Sequence, residues 1–471
     1  MGMWKSQVPP NPRRAGARGE AMNIVLLAID TLRPDHLGCY GYGKNTSPSI
    51  DALAAESVVF EQAIAAGIPT MPSFTTMLTG LHPYRHGIVA HIGEKQRVAA
   101  SVQTLPQLAQ KAGWTTLGID NLVIQGGGKG SWFARGFDHY SGFLYAPFTN
   151  QSEQLIDRAI QFIGEQDKQT PFFLYCHLWD PHTPYGPPAP FNTMHYTPGS
   201  ADYSMDEVYA HAPEYYKAFL GEMTCEHPDD YAAFVALYDG EISYVDVQVG
   251  RLIAHLKQEN LWDNTIFVLM SDHGEAFGEG DIHFDHHGLY DAVARVALMA
   301  KIPGTEPTRT SALVSTEDIL PTLAALCSWE LPTGYELTGQ SFAPALQGEE
   351  FTGRERVFCV ESSRQASLAI RTPKWKLIQP IVEDVHGNPL PHLHGTPRDP
   401  ELLLFDLEND PHEKYNLSKT HPDIREALLG ELEDWYAQEI ALREGHDPIK
   451  ENGLSLSYEI FMKRLLARHK K

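Results

Sequence analysis

The sequence lacks the cysteine pattern of a disulfide-stabilised protein or a thiolate metal site. Its five cysteines are scattered, odd in number and form no CxxC pair; they are Cys39, Cys176, Cys225, Cys327 and Cys359. A disulfide framework needs an even set of cysteines, and a thiolate zinc site needs closely spaced ones. The cysteines therefore favour neither class.

Positive charge and long apolar runs are also scarce. Lys and Arg number 37 against 60 Asp and Glu, which gives a formal charge of −23. Nucleic acids and anionic membranes are bound by clustered Lys and Arg, so we expect neither as a partner. No window reaches the roughly 18 apolar residues of a membrane helix, and residues 1–21 are basic but lack the apolar stretch of a signal peptide. We expect a soluble, cytoplasmic protein whose translation starts at Met1 or at Met22.

What is present is the pattern of a large α/β protein. A length of 471 residues and an apolar share of 42% suit one large domain with a subordinate C-terminal part. Residues 23–29, 171–180 and 264–272 are short apolar runs that end in polar residues, as buried parallel strands do. Ligands bind at the C-terminal edge of such sheets, so we expect the functional residues there.

Helical patterns and a polar stretch divide the chain. Capping residues or apolar stripes predict helices over residues 48–56, 240–258, 321–327 and 422–440. The polar, Gly-containing stretch near 340–355 predicts a hinge. We therefore predict a flexible extension over 1–21, a catalytic domain over 22–345 and an α+β subdomain over 346–471.

Polar residues at two predicted strand ends suggest a metal site. Asp30 follows the first strand, and Asp272 and His273 follow the third. Each has a structural interpretation as a cap or turn residue. Carboxylates and imidazole gathered at one sheet edge, however, are ligands for a hard cation or zinc. The combination favours a metal site over three unrelated turns.

Five motifs occur in order between residues 23 and 440: NIVLLAIDTLRPDHLGCYG, PTMPSFTTMLTGLHPYRHG, FFLYCHLWDPHTPY, VLMSDHGEAFGEG with HHGLYDAVARVAL, and LLLFDLENDPHEKYNL. Together they resemble the sulfatase family, within the alkaline phosphatase superfamily. The resemblance implies an α/β fold with a large mixed, mostly parallel sheet flanked by helices, a metal site at the strand ends and a smaller C-terminal α+β subdomain.

The chain departs from this family at the positions whose side chains would bind sulfate. Family members that cleave sulfate esters carry a C/S-x-P-S-R motif whose first residue becomes formylglycine. Thr70 occupies that position here, and Phe74 occupies the position of the arginine. The family signature GKWHLG is replaced by GIDNLV, which puts Ile119 and Asn121 in place of its lysine and histidine. Three cationic groups are therefore missing, and Asn121 is left as a neutral donor.

Thr70 implies a different chemistry from formylglycine. A formylglycine hydrate expels its ester by collapsing to the aldehyde, whereas a threonine ester must be cleared by water. Threonine-nucleophile relatives in the superfamily act on phosphoesters. The resemblance thus implies that Thr70 is a metal-bound nucleophile at a helix N-terminus, with Asp30, Asp272 and His273 as further ligands. Mn, Zn, Ca and Mg all remain options, as one ion or two.

Several further side chains could serve the reaction. The resemblance implies that His182, after the second strand, and His287, before Leu-Tyr-Asp, are catalytic acids or second-metal ligands. Asp180 and Asp285 are possible second-metal ligands by adjacency alone. The histidines interpreted as structural are His86, His283 and His286.

Three functions follow from these residues. The favoured one is hydrolysis of a small anionic ester, a phosphodiester or a phosphate or phosphonate monoester, by a metal-dependent enzyme. The second is a sulfatase that acts without formylglycine. The third is a catalytically silent binding protein, against which the retention of all four presumed ligands argues. A homo-oligomer is an option, because sizeable family members often associate.

Overall fold

A computed structural model describes residues 21–91, 96–122, 131–142, 152–211, 214–223, 225–390 and 399–452. The strands are β1 (Asn23–Ile29), β2 (Val58–Ile64), β3 (Gly67–Ile68), β4 (Thr115–Ile119), β5 (His139–Ser141), β6 (Phe172–Leu178), β7 (Thr265–Ser271), β8 (Ala276–Phe277), β9 (His283–Asp285), β10 (Arg295–Val296), β11 (Leu298–Lys301), β12 (Thr308–Ser315), β13 (Val357–Ser362), β14 (Ala366–Arg371), β15 (Trp375–Pro380) and β16 (Leu403–Asp406).

The α-helices cover Pro48–Ala54, Thr70–Thr79, Pro83–His86, Leu105–Lys111, Ser152–Gly164, Phe191–Met194, Met205–His211, Glu214–Leu220, Tyr231–Gln258, Asp291–Ala294, Ile319–Cys327, Ala343–Leu346, Pro422–Leu442 and Pro448–Asn452. Short 3-10 helices cover Pro34–His36, Gly38–Tyr40, Ser131–Ala134, Trp262–Asn264, Glu279–Asp281 and Thr316–Asp318. Of the predicted extension over 1–21, all but the last residue lies outside the described residues.

The large sheet has the order β10-β2-β11-β7-β1-β6-β4-β5, with β12 beside β2. Strands β7, β1, β6, β4 and β5 run parallel, while β11 and β10 run antiparallel to their neighbours. Helices flank this sheet. The predicted fold class, a large mixed and mostly parallel sheet flanked by helices, is therefore confirmed.

The central strand β1 is covered on both faces. Alternate residues point to opposite sides of a strand, so an uninterrupted apolar run is needed where both sides are buried. Its residues divide between two apolar clusters: Ile24, Leu26 and Ala28 on one face, and Val25, Leu27 and Ile29 on the other. This burial explains why the strand was recognisable from its sequence.

The long helix that covers one face of the sheet begins earlier than its apolar stripe indicates. The sequence predicts a helix over 240–258, whereas the helix runs from Tyr231 to Gln258. The side chain of Asp230 accepts a hydrogen bond from the N–H of Ala232 at 2.9 Å and so caps the first turn. Most residues of the additional N-terminal turns are buried, so the spacing of apolar residues alone does not show where the helix begins.

A second sheet has the order β16-β15-β14-β13-β3. Its edge strand β3 comes from early in the chain and pairs with β13 in parallel, with Val360 beside Gly67 and Glu361 beside Ile68. The last long helix packs on this sheet, where Phe358 and Trp435 stack with ring centroids 4.5 Å apart. The smaller α+β unit thus reaches the chain segment just before Thr70. The domain boundary at 345 stays a prediction.

Among the described residues, we find no helix that combines the length and the apolar character needed to cross a bilayer. The cytoplasmic location remains a prediction.

A candidate metal and nucleophile site at the sheet edge

The site lies where four neighbouring parallel strands end. Strands β7, β1, β6 and β4 are adjacent in the sheet, so the residues that follow them meet at one edge. Asp272 follows β7, Asp30 follows β1 and Asp120 follows β4, and all three side chains are fully buried. The sheet order therefore explains why residues far apart in the chain come together.

Asp30, Asp272 and His273 form a compact ligand group. Each offers one ligand atom, and these atoms all lie within 4.8 Å of one another. His273 Nε2 is 3.2 Å from Asp272 Oδ2 and 3.8 Å from Asp30 Oδ1. Asp272 Oδ1 points the other way and accepts the backbone N–H groups of Thr31 and His273 at 3.1 and 2.8 Å. Asp272 Oδ1 therefore fixes the backbone at Thr31 and His273, while Asp272 Oδ2 remains part of the ligand group.

Thr70 brings its hydroxyl to the same place. It is the first residue of the helix Thr70–Thr79, which ends at Gly80 in the left-handed conformation (φ 65°). Its Oγ1 lies 3.1 Å from His273 Nε2, and the side chain is fully buried. The hydroxyl of Ser73 donates to the Asp272 carbonyl at 2.7 Å and ties the helix to the end of β7. The helix N-terminus therefore faces the ligand group, where its N–H groups favour an anion.

The donor set fits a divalent cation. Asp30 Oδ1 and Asp272 Oδ2 are buried without a hydrogen-bond partner, and Asp30 Oδ2 lies 3.3 Å from His177 Nε2. His273 Nδ1 is 3.0 Å from the Gly274 carbonyl, so this nitrogen carries the proton and Nε2 turns its lone pair to the carboxylates. Buried carboxylate and imidazole lone pairs that converge without donors are stabilised by a bound cation.

The surroundings of the ligand group shift the pKa values of its two carboxyl groups in opposite directions. Burial acts to raise the pKa of Asp30, but His177 and the nearby His182 and His273 outweigh it and hold the pKa below its usual value. Burial and the charge of Asp30 raise the pKa of Asp272 well above its usual value. Two carboxylates this close do not both ionise readily without a compensating positive charge. The pair therefore needs a cation to hold both charges.

His177 is a site residue that the sequence analysis missed. It lies inside β6, and its Nε2 is 3.3 Å from Asp30 Oδ2 while its Nδ1 is 2.9 Å from Asp120 Oδ1. Burial opposes its protonation, but Asp120 and Asp30 outweigh burial and raise the pKa of His177 to about 9. Asp120 belongs to the GIDNLV stretch, so a carboxylate and an imidazole stand near where the family signature carries cations.

A group of imidazoles lies beside the ligand group. His286 stacks on His273 with ring centroids 4.9 Å apart and contacts His182 at 4.6 Å. Burial and the charge of His286 lower the pKa of His182 to about 4, and the same two factors, in the same order, lower the pKa of His273 to about 3. Burial opposes the protonation of His286, but Glu275 outweighs it and raises its pKa to about 9. The sequence favours a structural interpretation of His286, yet its ring lies beside the ligand group.

Partly buried His91 interacts electrostatically with two members of this group. Burial and the charges of His286 and His182 lower the pKa of His91 to about 3. It follows no motif that points to chemistry, so the sequence offered no signal for it.

The other predicted residues make contacts with side chains and backbone groups outside the ligand group. His287 Nδ1 is 3.1 Å from Asp285 Oδ1, and Asp285 also pairs with Arg364. Asp180 accepts the N–H of Ser152 at 2.9 Å. Within the part of the chain that the structure describes, Asp30, Asp272 and His273 are the sole group of His, Cys and acidic side chains with metal-binding geometry. The roles predicted for His182 and His287 remain predictions.

Two of the histidines interpreted as structural do lie in packed surroundings. His86 Nε2 is 3.0 Å from Thr76 Oγ1, and His86 Nδ1 accepts the N–H of Ile88 at 3.1 Å. His283 packs edge-on against Tyr231, with ring centroids 5.6 Å apart. Asn121 is 5% exposed just beyond β4.

A comparison with protein-family models identifies one family, and further comparisons give similar proteins and a similar fold. Residues 22–328 match the protein-family model described as Sulfatase. An N-acetylgalactosamine-6-O-sulfatase of Bacteroides thetaiotaomicron is 26% identical over 485 residues, covering 89% of this chain and 94% of that protein. An arylsulfatase of Clostridium perfringens is 25% identical over 479 residues, covering 87% and 94%. Among solved structures, a phosphonate monoester hydrolase of Agrobacterium radiobacter superposes with a TM-score of 0.70 at 22% identity, covering 89% of this chain and 96% of that chain.

Proposed function

The chain belongs to the sulfatase family and is an ester hydrolase, and from this premise we propose that it cleaves a phosphorus ester with Thr70 as nucleophile. The substrate class is a phosphodiester or a phosphate or phosphonate monoester. The observation that carries the proposal is the Thr70 hydroxyl, which lies 3.1 Å from His273 Nε2 at the buried ligand group. The Agrobacterium radiobacter hydrolase acts on phosphonate monoesters on the same fold, which is compatible with this choice.

The nucleophile favours phosphorus over sulfur. Formylglycine clears a sulfate ester through its second hydroxyl, and Thr70 has only one. A threonine ester must be cleared by water, which is feasible for a phosphoryl group. Phe74 also fills the position of the arginine that the resemblance assigns to sulfate binding, and it is fully buried.

We propose one divalent cation at Asp30, Thr70, Asp272 and His273. When bound, it supplies positive charge that stabilises the anionic oxygens of the transferred group and the deprotonated hydroxyl.

The chain's own residues carry the proton transfers. His182 Nδ1 is 2.5 Å from the Thr183 carbonyl and donates to it, so Nε2 is the ring nitrogen that exchanges protons in this mechanism. In the first half of the reaction, His182 takes the Thr70 proton and Thr70 Oγ1 forms a bond to phosphorus. The bond between phosphorus and the alcohol oxygen breaks. His182 then gives that proton to the departing alkoxide. In the second half, water loses a proton to His182 and attacks phosphorus, and the proton returns to Oγ1 as Thr70 leaves.

A second candidate is hydrolysis of a sulfate ester without formylglycine. The N-acetylgalactosamine-6-O-sulfatase and the arylsulfatase described above favour it, because both relatives are sulfatases. It requires water to attack sulfur in a threonine sulfate ester. The two candidates differ in substrate and share the nucleophile.

The test is a comparison of 4-nitrophenyl sulfate, 4-nitrophenyl phosphate, bis(4-nitrophenyl) phosphate and 4-nitrophenyl phenylphosphonate with metal-loaded protein. We expect turnover of at least one phosphorus substrate, its loss in Thr70→Ala, and partial retention in Thr70→Ser, which keeps the hydroxyl. Thr79→Ala is the matched control, because it removes a buried hydroxyl from the last turn of the same helix. Thr70-dependent turnover of the sulfate alone would establish the second candidate. Phosphorus turnover that survives in Thr70→Ala would refute the nucleophile.

A small anionic ester as sole partner, the absence of nucleic-acid and membrane partners, and self-association all remain predictions. Elemental analysis of the purified protein tests the cation, with about one equivalent expected and none in Asp30→Asn.

A further inference from the structure

The 285–291 segment links the site to the C-terminal sheet. It begins at the end of β9 and ends at the first residue of the helix Asp291–Ala294. Between these ends it carries His286, whose ring stacks on His273 and contacts His182. The position of that imidazole therefore depends on how the two ends of the segment are held.

The end of the segment is held by buried charges from beyond residue 345. Lys376, on β15, donates to the Leu289 carbonyl at 3.0 Å and pairs with Asp291 and, at 2.8 Å, with Glu413. Glu413 accepts the backbone N–H of Asp291 with its other oxygen. Arg371, on β14, pairs with Asp291 at 3.2 Å. Lys376 is 1% exposed and Glu413 is 7% exposed, so these pairs are shielded from solvent.

The start of the segment is held from the same sheet. Arg364, in the turn between β13 and β14, pairs with Asp285, which is 3% exposed. Asp285 Oδ1 accepts the backbone N–H of His286 at 2.9 Å. The ion pair at Asp285 thus acts on the backbone of the very residue whose ring enters the site.

We propose that Arg364, Lys376 and Glu413 are positioning residues that hold the His286 imidazole against His273 and His182. This assigns a function to the C-terminal motif FDLENDPHEKYNL, which supplies Glu413. The proposal rests on the proposed function in one respect: the imidazoles beside the ligand group serve the reaction.

Burial supports positioning over general stabilisation. Buried ion pairs are weak evidence for stability, because desolvation offsets most of their attraction. Here the paired side chains contact the backbone of the 285–291 segment at both of its ends, which fixes the position of the segment. A small misplacement of an acting group reduces the rate strongly, so the expected effect is on turnover.

The first test compares Lys376→Met with Lys374→Met. Lys374 lies two residues away, directly before the same strand, and forms an exposed pair with Glu408, so it is a matched control. On whichever nitrophenyl ester the protein turns over, Lys376→Met should lower kcat about 10-fold to 100-fold with KM little changed. Lys376→Arg should restore part of this loss, and Lys374→Met should match the parent. Equal kcat in all folded variants, as judged by circular dichroism, would overturn the proposal.

A double-substitution cycle separates positioning from a structural effect. Arg364→Gln should lower kcat about 10-fold in the parent protein and less than about 2-fold when His286→Gln is already present. An equal loss in both backgrounds would mean that Arg364 acts independently of His286 and would overturn the proposal.

A readout without turnover keeps this inference separable from the proposed function. The His286 imidazole resonance, assigned by its loss in His286→Gln, should shift in Lys376→Met and stay in place in Lys374→Met in metal-free protein. An unshifted resonance in Lys376→Met refutes the positioning, whatever substrate is hydrolysed. A shifted resonance in a protein without phosphorus turnover refutes only the proposed function.

Discussion

The ring of Phe74 packs against the imidazole of His177 with the two centroids 4.3 Å apart. Phe74 stands where the resemblance places an arginine, and His177 bridges the ligand Asp30 and the buried Asp120. An apolar ring therefore covers the histidine that pairs with Asp30, one of the proposed metal ligands.

We expect His177→Asn to weaken Mn²⁺ affinity by about 10-fold to 100-fold, because Asp30 loses the partner that orients it. Isothermal titration calorimetry measures the change. His386→Asn, an exposed histidine substitution, is the control. Unchanged affinity in His177→Asn would show that Asp30 is oriented without it.

Metal removal should destabilise the protein through Asp30 and Asp272. Chelation should lower Tm, and Mn²⁺ at 100 times its Kd should restore about 2.7 kcal/mol. Asp272→Asn removes one of two facing carboxyl charges while Oδ1 still accepts both backbone N–H groups. We expect this variant to have a higher metal-free Tm and no response to Mn²⁺ in thermal denaturation. A variant that still responds to the metal would exclude Asp272 as a ligand.

His182→Gln tests the proton transfer in the proposed mechanism. The loss of kcat should be larger for a phenyl ester than for the matching 4-nitrophenyl ester, because a poor leaving group needs the proton more. His287→Gln provides the comparison, since its imidazole contacts Asp285. Equal losses for both leaving groups in His182→Gln would contradict its role.

Acid should destabilise the protein through His82. Burial lowers the pKa of His82 to about 4, and its Nδ1 accepts the N–H of Tyr84 at 3.3 Å as the cap of the helix Pro83–His86. The folded pKa lies below the unfolded value of about 6.5, so the neutral form stabilises the fold above pH 6.5. About 3 kcal/mol of this contribution is lost as the pH falls towards 4. Urea unfolding at several pH values should show a shallower acid decline in His82→Gln, and an identical decline would argue against His82.

Gly274→Ala should destabilise the end of β7. A Cβ on Gly274 would lie 2.0 Å from the Ala292 carbonyl oxygen and 3.2 Å from Arg33 Cγ. This overpacking should cost about 2 kcal/mol. Gly430→Ala is the control, and it should stabilise the protein. A Cβ at this position has open space, and alanine favours a helix interior by about 1 kcal/mol over glycine. A neutral Gly274→Ala in urea denaturation would mean that the backbone adapts at this point.

Much of the fold and part of the site could be predicted because their signals are local. Strand β1 is an apolar run buried on both faces, and Asp30 directly follows it. Thr70 and His273 stand out because they occupy fixed places in long motifs. The adjacency of β6, β1 and β7 then brings their ends together.

The remaining site residues depend on contacts that no local pattern encodes. His177 lies within an apolar strand, where it is indistinguishable from a core residue until Asp120 is seen beside it. Which of the neighbours His286 and His287 lies beside the ligand group depends on the path of the 285–291 segment. Contacts with residues beyond 345 fix that path. Lys376 alternates with apolar neighbours as a solvent-facing residue would, yet Asp291 and Glu413 bury it.

The sheet order has a consequence for biosynthesis. Strand β1 is made early but pairs with β6 and β7, whose partner residues lie 149 and 242 positions later, as Ile24 beside Phe173 and Asn23 beside Thr265 show. Loop closure of this length is slow and leaves apolar strands unpaired meanwhile. The nascent chain therefore carries β1 without its partner β7 until residue 271 has left the ribosome, and the ligand group cannot assemble before residue 273 has followed.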